Sequence, residues 1–310
     1  MRWTWRPTLR LLLGDQPRSD FVPTLLEFPR AFRSPSFRKY LLNQSTDGEV
    51  RAAILEANRV SYGDHKLENI APYITSKLTR FLQDTQVRRI VGHGGMALEF
   101  REIMDRSRIV VFKLAQGRLG RHVSDLLFAQ LVAIFRLAAM SRADLPELAR
   151  RPFFLYCDEF QVIADEPFAD MLSTSRKWGL GLILANQFAT QLQERRVLES
   201  VLANAGTIIS FRVGVRDAQL LSPVFEPTVG AKDLVECPNW QGYMRLHTHQ
   251  APVRPFSFHN LQDSTPADRE WAQQLREISR NRCSVSTEEA ELAISQRNLC
   301  IDCLLESLAS

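Results

Sequence analysis

The stretch Phe153-Phe-Leu-Tyr-Cys-Asp158-Glu159 decides the fold. A continuous apolar run bounded by an acid pair is typical of a strand that is buried on both faces of a parallel sheet. A second run of this kind, Leu180–Ala185, follows a helical pattern over residues 166–178 that ends at Gly179. Strands that alternate with helices predict an α/β fold with a parallel sheet covered on both faces.

The same alternation continues on either side of this stretch. Arg108–Leu114 and Thr207–Arg212 are predicted as two further strands, and Ser124–Met140 as a long helix with one broad apolar face. The order of these elements predicts that residues 106–262 form one α/β region. Residues 263–310 begin with an amphipathic helical pattern, and we expect them to form a helical, loosely docked tail.

The N-terminal part of the chain has a different pattern. Residues 1–20 are rich in Arg, Trp and Pro without clear periodicity, so we predict an irregular start. From residue 21 to 105, apolar residues recur three and four positions apart, as in Val50, Ile54 and Ala57. This spacing predicts a subdomain of several short helices.

The composition is that of a soluble globular protein. The chain has 310 residues, of which 45% are apolar and 24% charged, enough for a sizeable core. The longest apolar stretch, Leu126–Met140, is interrupted by Gln130 and Arg136, so we expect no membrane span. Only Leu11–Leu13 follow the positively charged start as an apolar run, which is too short for a signal peptide. We therefore expect a cytoplasmic protein.

Positive charge comes almost entirely from arginine. The chain has 33 Arg and 6 Lys, and its net charge is +4. The planar guanidinium group binds phosphates well, but a biased genome composition produces the same excess. The arginine content alone therefore does not identify a nucleic-acid-binding protein.

The five cysteines are irregularly spaced, which does not predict a disulfide framework. Cys300 and Cys303 form a lone Cys-x-x-Cys pair, and only Cys283 lies near them in the sequence. Because structural zinc normally takes four ligands, we expect no intrinsic metal site. The sequence leaves the role of the Cys300–Cys303 pair open.

Asp158 and Glu159 follow the first apolar run directly. They are therefore expected at the carboxyl end of its strand, the end at which ligands bind in parallel sheets. In phosphate-transfer enzymes a first acid in this place supports Mg²⁺ and a second activates the attacking water. A strand that ends in a solvated acid pair is the alternative, and both interpretations stay open at this point.

Two more polar groups follow at the ends of neighbouring elements. Asn186 and Gln187 come directly after the strand 180–185, where an amide side chain next to two acids suits a γ-phosphate sensor. Gln187 equally suits a helix cap. Arg176 ends a helix, where the macrodipole stabilises a cation, so its place has an ordinary structural explanation as well.

Taken in order, these residues resemble the conjugative coupling-protein ATPases of the TraD/TraG type, within the HerA–FtsK superfamily. The matching segments are Phe153–Gln161, Ser175–Leu180, Leu184–Gln187, Ala205–Gly214, Asp217–Ala218 and, upstream, Ile103–Asp105 and Val110–Gly120. The resemblance covers roughly residues 20–260. It implies a partial P-loop (RecA/FtsK-like) parallel-sheet domain with an N-terminal helical subdomain, in which residues 106–262 are the C-terminal half of a motor domain.

The resemblance also implies an activity, that of an ATP-driven motor whose hexameric ring pumps DNA in conjugation or type IV secretion. In this family's terms, Asp158 would support Mg²⁺ through water, Glu159 would activate the attacking water, and Gln187 would sense the γ-phosphate. Arg176 matches the position of an arginine finger that reaches the γ-phosphate in the neighbouring subunit's site. The implied cofactors are ATP and Mg²⁺. The implied partners are DNA, further copies of the chain, and relaxosome or secretion-system proteins.

One part of the family's pattern is missing. A P-loop requires Gly-Lys-Ser/Thr, and none of the six lysines follows a glycine. We therefore expect a portion of such a motor, with a Walker B but no Walker A motif, that needs the missing P-loop half for ATP hydrolysis. A non-catalytic interaction module and a truncated remnant of such an ATPase are the alternatives. The expected location is the cytoplasm, at the inner membrane face where partners or a missing N-terminal anchor hold the protein.

Overall fold

The computed structural model describes residues 11–12, 21–59, 75–76, 78, 82–95, 98–192, 195–247, 253–262 and 264–307. The chain divides into two compact units, one of residues 1–97 with 269–310 and one of residues 98–268. This division differs from the expected boundaries, because residues 98–105 join the second unit and the C-terminal helices join the first. Apart from Leu11 and Leu12, the expected irregular start lies outside the described residues.

In the second unit, long helices and strands alternate over residues 121–225. The helices are α1 (Glu27–Arg33), α2 (Pro35–Gln44), α3 (Gly48–Arg59), α4 (Thr85–Gly92), α5 (Phe100–Asp105), α6 (Gln116–Leu119), α7 (Arg121–Met140), α8 (Glu166–Thr174), α9 (Arg195–Asn204), α10 (Val215–Phe225), α11 (Ala231–Val235), α12 (Arg269–Cys283) and α13 (Thr287–Ser307). The strands are β1 (Phe153–Asp158), β2 (Leu180–Ala185), β3 (Thr207–Ser210), β4 (Gln241–Leu246) and β5 (Phe256–His259). Short 3₁₀ turns include Phe160–Ile163 and Ser175–Trp178.

The first unit is helical throughout its described part. Phe28, Phe32, Phe37 and Leu41 of α1 and α2 lie in its core. The corner between these two helices forms because the Ser34 hydroxyl accepts a hydrogen bond from the Phe37 N–H at 3.2 Å and proline follows at the first helical position. The apolar spacing of the sequence thus produces short helices here.

The C-terminal helix α13 belongs to this core. Its buried stripe consists of Ala290, Ile294, Arg297 and Ile301, four positions that share one helix face. Arg297 Nε donates to Glu27 Oε1 at 2.9 Å, and both side chains are buried. Residues 263–310 were expected to dock loosely. Of the two helices in this segment, α13 packs into the core, whereas α12 has no buried residue.

The second unit contains two separate sheets among its described residues. β1 and β2 pair in parallel, in a register that sets Phe153 beside Leu180 and Asp158 beside Ala185. β3, β4 and β5 form an antiparallel sheet in that order. The unit is therefore an α/β structure with a parallel sheet, as the sequence predicts.

Two of the four predicted strands differ from expectation. Arg108–Leu114 pairs with no described strand, and Ile109 and Val111 are 95% and 85% exposed. Thr207–Ser210 does form β3, but this strand pairs antiparallel with β4 instead of joining the parallel sheet. An apolar run indicates a strand without specifying its neighbour, because partner and direction depend on long-range packing.

The parallel pair is covered on one face by the described helices, whereas the sequence predicted cover on both. Phe153 and Cys157 lie in the core with α7, where the ring of Phe135 stacks on that of Phe153 with centroids 5.6 Å apart. Phe154 and Tyr156 alternate with these residues on the opposite face and are 58% and 72% exposed. A large apolar surface of the sheet is therefore left bare.

One stretch of the described chain, Arg121–Asp144, is long and apolar enough to cross a membrane by length and composition alone. This corrects the expectation that Gln130 and Arg136 exclude such a stretch, because the apolar residues around them keep the average hydropathy high. Val132 and Phe135 on its inner face lie in the core of the second unit. The core helix of a soluble protein has the same properties, so this stretch is weak support for a membrane span.

Candidate active site

The acid pair and the amide pair come together at one edge of the β1–β2 pair. Asp158 is the last residue of β1 and lies beside Ala185, the last residue of β2. Glu159 and Asn186-Gln187 follow these two residues directly. Because the strands are parallel, all these side chains belong to the carboxyl edge, where α/β proteins bind their ligands.

The backbone turns sharply at Glu159. Its φ of 54° and ψ of 40° place it in the left-handed region, which is uncommon for a residue with a side chain and recurs at functional sites. The Glu159 N–H donates to Asp158 Oδ1 at 3.1 Å. The 3₁₀ turn that follows is anchored by the buried Phe160 and Ile163. The strand thus ends abruptly, and the Glu159 side chain is presented at the edge.

Gln161 holds the Glu159 carboxylate. Its Nε2 donates to Glu159 Oε2 at 2.5 Å, a charge-assisted hydrogen bond that restricts the carboxylate to one orientation. The other amide atom of Gln161, Oε1, is buried and has no hydrogen-bond partner within the described chain. Sequence reasoning included Gln161 in a matching segment but gave it no role. The position of Gln161, two residues after Glu159, could have suggested this contact.

The loop that carries Gln187 is held from both sides. Asn186 Nδ2 donates to the Phe188 carbonyl at 2.8 Å, and the Thr190 N–H donates to Asp217 Oδ1 at 2.8 Å. Asp217 is buried in the first turn of α10. Gln187 itself is exposed at the edge. Asp217 therefore fixes the far end of this loop. The sequence resemblance includes Asp217 in a matching segment but gives it no role or partner.

Arg176 lies away from this cluster. It sits in the 3₁₀ turn Ser175–Trp178, which precedes β2 and so belongs to the amino edge of the strand pair. The strand between the two edges, Leu180–Ala185, is about 17 Å long at the usual rise per residue. The structure thus brings three of the four candidate residues to one edge and leaves exposed Arg176 at the other.

The chemistry of the edge suits a hard cation held together with a phosphate. Carboxylate and amide oxygens are the ligands that Mg²⁺ prefers, and Mg²⁺ usually shares them with substrate phosphates. Within the described residues, no group of three or more His, Cys, Asp or Glu gathers as an all-protein metal cage. Asp158 and Glu159 offer carboxylate oxygens of the kind that Mg²⁺ takes as ligands, and the Gln187 amide lies at the same edge.

A buried thiol lies directly behind the acids. Burial raises the pKa of Cys157 to about 11, so this thiol is protonated at neutral pH and adds no negative charge next to Asp158. Cys157 therefore adds no charge to the apolar cluster that it forms with Phe160 and Ile163.

Comparisons with known proteins find similarity at the level of structure. No protein-family model and no curated protein sequence matches the chain. The bacterial conjugative coupling protein TrwBdeltaN70 in its unbound monoclinic form matches with a TM-score of 0.51 and 14% identity, over 86% of this chain and 70% of that one. The plasmid coupling protein TrwB in complex with ADP and Mg²⁺ matches with a TM-score of 0.52 and 15% identity over the same shares. The trigonal form with sulphate gives 0.51 and 16%, again over the same shares. Similarity at this identity shows a common fold.

Proposed function

We propose that this chain, which has the fold of the conjugative coupling proteins of the TraD/TraG type, is a portion of an ATP-driven motor that moves DNA. The observation that carries the proposal is the meeting of Asp158 and Glu159 with Gln187 at the carboxyl edge of a parallel strand pair. The plasmid coupling protein TrwB, which has this fold, has a solved structure in complex with ADP and Mg²⁺. Both ligands are therefore the cofactors proposed here, with ATP as the nucleotide that is hydrolysed.

Each residue of the edge has one role in this proposal. Asp158 would hold Mg²⁺ through a water ligand, and a bound Mg²⁺ would neutralise part of the charge on the phosphates. Glu159, held by Gln161, accepts a proton from the water that attacks the γ-phosphate. Gln187 donates a hydrogen bond from its amide to a γ-phosphate oxygen. The hydrogen bonds that Asn186 and Asp217 make at the two ends of the Gln187 loop help to keep Gln187 in place.

Arg176 acts in a neighbouring copy of the chain. Its position at the amino edge is incompatible with a role at its own acid pair, because the length of β2 separates them. A guanidinium group supplied from outside can neutralise the charge that develops on the transferred phosphoryl group. The proposal therefore requires a ring, and a homo-hexamer is the arrangement proposed by resemblance.

The phosphate cradle must be supplied by a segment with Gly-Lys-Ser/Thr, because no lysine of these 310 residues follows a glycine. The bare face of the β1–β2 pair supports this requirement. Phe154 and Tyr156 expose more apolar surface than a completed parallel sheet leaves open. We propose that the segment carrying the P-loop covers this face, whether it belongs to the same polypeptide or to another.

The remaining parts of the proposal concern the surroundings of the motor. DNA, single- or double-stranded, is the proposed cargo, and relaxosome or secretion-system proteins are the proposed partners. The proposed location is the cytoplasmic side of the inner membrane, where such partners or an anchor hold the motor.

ATP hydrolysis by the purified chain tests the proposal first. Without a phosphate cradle, we expect no turnover above background with either form of DNA. DNA-stimulated turnover that is lost in Glu159→Gln would retain the acid pair as the catalytic centre and overturn the requirement for a further segment. Turnover that Glu159→Gln leaves unchanged would contradict the proposed centre itself.

The second candidate function is a non-catalytic interaction module. The absence of Gly-Lys-Ser/Thr favours it. This candidate requires binding to a partner protein or to an intact motor, and it requires that Glu159→Gln leave the biological activity unchanged. Loss of DNA transfer in cells with Glu159→Gln would exclude it.

A further inference from the structure

The turn that carries Arg176 rests on two arginines from another part of the second unit. We propose that Arg142 and Arg150 are positioning residues that fix the turn Ser175–Trp178 and so set the direction in which Arg176 leaves the surface. The proposal rests on the role given to Arg176 above. It adds residues that neither the sequence resemblance nor the comparisons assign.

We call Arg142 and Arg150 together the clamp. Arg142 is its buried member, with 0% of its side chain exposed. Its Nε donates to Asp105 Oδ1 at 2.8 Å. Its Nη1 donates to the carbonyls of Arg151 at 3.0 Å and Trp178 at 3.3 Å. A buried guanidinium is costly unless its donors are satisfied, and Nη2 has no hydrogen-bond partner among the described residues. Burial of Arg142 therefore has a desolvation cost that its hydrogen bonds do not fully offset, and an apolar residue would stabilise this position without that cost.

Arg150 completes the clamp from the half-exposed side. Its Nη1 donates to the Lys177 carbonyl, and its Nε donates to the Arg142 carbonyl at 3.0 Å. Its guanidinium also lies over the ring of Trp178, 4.9 Å from the centroid, and Lys177 Nζ lies at the same distance from that ring. The two carbonyls that follow Arg176 in the chain are thus each bound by a guanidinium group.

Gly179 locks the turn to the sheet. Its φ of 71° is in the left-handed region that glycine adopts readily. An added Cβ would lie 3.2 Å from Arg142 Nη1 and 3.3 Å from the Arg151 carbonyl oxygen. The Gly179 carbonyl accepts from the Phe153 N–H at 2.8 Å, which joins the turn to the start of β1. The chain after Arg176 therefore cannot shift without breaking contacts to the clamp.

The base of the clamp is itself fixed by charge. The Asp105 carboxylate, which accepts a hydrogen bond from Arg142, also accepts one from Arg101 Nε, at 3.3 Å from Oδ2. Arg101 Nη2 bonds Asp144 at 2.7 Å, and the Arg101 guanidinium holds the pKa of the Asp144 carboxyl below its usual value. The network connects α5, the 3₁₀ turn Ser141–Asp144 that follows α7, and the Arg176 turn. A rigid base lowers the conformational entropy lost when Arg176 reaches a neighbouring site.

Hydrogen exchange of the full chain tests whether the clamp acts locally. We expect Arg142→Gln and Arg150→Gln to raise the exchange rate of residues 175–180 by at least about tenfold, because each removes a charge-assisted hydrogen bond to this turn. Exchange in β3 and β4 should stay unchanged. The matched control is Arg151→Gln, whose side chain is exposed and whose carbonyl, not its guanidinium, joins the network. Arg150→Gln keeps the test valid if Arg142→Gln does not fold.

Two results would overturn the proposal. A uniform rise of the exchange rate across the second unit would mean that the two arginines only stabilise the fold. No change in the exchange rate of residues 175–180 would mean that they have no role at this turn.

ATP hydrolysis by the assembled motor separates this proposal from the proposed function. Positioning predicts that Arg142→Gln lowers kcat without changing KM and adds no loss to Arg176→Gln. Additive losses would contradict positioning. If Arg176→Gln alone has no effect, the proposed finger fails while the exchange result still decides the clamp.

Discussion

Asp158 and Arg176 lie at opposite ends of the β1–β2 pair, with the whole parallel register from Phe153–Leu180 to Asp158–Ala185 between them. A catalytic acid and a catalytic arginine that belong to one reaction must lie within a few ångströms of the same phosphate. The geometry of a single chain excludes this for the two residues. If both act in ATP hydrolysis, each active site combines residues of two subunits.

Mixing two inactive variants tests this arrangement. Glu159→Gln and Arg176→Ala should each abolish DNA-stimulated ATP hydrolysis in the assembled motor. In a random mixture, about a quarter of the interfaces pair an intact Glu159 with an intact Arg176, so activity should return in part. Activity that returns in the mixture is measured against each variant alone. No recovery in rings proven to contain both variants would contradict shared sites.

Stability should depend on pH through Cys157. Burial raises the pKa of this thiol from the ordinary 9.0 to about 11, so the folded state binds the proton more tightly than the unfolded state. The resulting stabilisation is complete below pH 9 and is lost as the pH rises towards 11. The loss is on the order of 2–3 kcal/mol.

Chemical denaturation between pH 7 and 11 measures this effect. Over that interval the free energy of unfolding of the wild-type protein should fall more than that of Cys157→Ala. The difference in stability between the two proteins should therefore narrow. Cys303→Ser, at an exposed cysteine, is the control and should run parallel to wild type. A difference in unfolding free energy that stays constant from pH 7 to 11 would show that the Cys157 thiol ionises normally in the folded protein.

The buried ion pair of the first unit gives a test of its packing. Glu27→Ala leaves the Arg297 guanidinium buried without its carboxylate, which should cost about 3–5 kcal/mol. Replacing both residues by apolar ones of similar size, Glu27→Leu with Arg297→Met, should recover most of that loss. Native-state hydrogen exchange of α1 and α13 measures the opening free energy.

The control for this pair is the more exposed pair of Arg89 and Glu291 in the same unit. Glu291→Ala should cost about 0–1 kcal/mol, because solvent screens exposed charges. An equal cost for Glu27→Ala and Glu291→Ala would mean that α13 does not bury Arg297 as described.

The residues at the carboxyl edge could be predicted from sequence because the signals are local. An apolar run bounded by Asp158 and Glu159 marks both the strand and its end, and a second run placed Gln187 after a neighbouring strand. Parallel pairing of these two strands then brings the side chains together. The predicted helix over residues 166–178 is shorter in the structure, because α8 ends at Thr174 and a 3₁₀ turn, Ser175–Trp178, follows. The chain does turn at Gly179 as predicted, since glycine adopts a positive φ readily.

Pairing partners could not be predicted in the same way. The apolar runs at Arg108–Leu114 and Thr207–Arg212 look alike in sequence. One pairs with no described strand and the other joins an antiparallel sheet. Which strand lies next to which depends on contacts far apart in the chain, and these leave no local pattern.

The packed face of α13 was missed because a charge interrupts it. Ala290, Ile294 and Ile301 have helical spacing, but Arg297 stands among them and makes the stripe look polar. Its partner Glu27 is far away in sequence. Arg142 was missed for a different reason. Two of its partners are backbone carbonyl groups, which every residue has, so no pattern of side chains marks them.

The most direct test of the account is ATP hydrolysis by the native assembly. The protein, carrying an affinity tag and isolated from its own cells with the proteins bound to it, is assayed with and without DNA beside its Glu159→Gln variant. The account predicts a Gly-Lys-Ser/Thr segment in the preparation and Mg²⁺-dependent, DNA-stimulated hydrolysis that Glu159→Gln lowers by about 100-fold or more. Hydrolysis that survives Glu159→Gln, or an assembly with that segment and no hydrolysis, would contradict it.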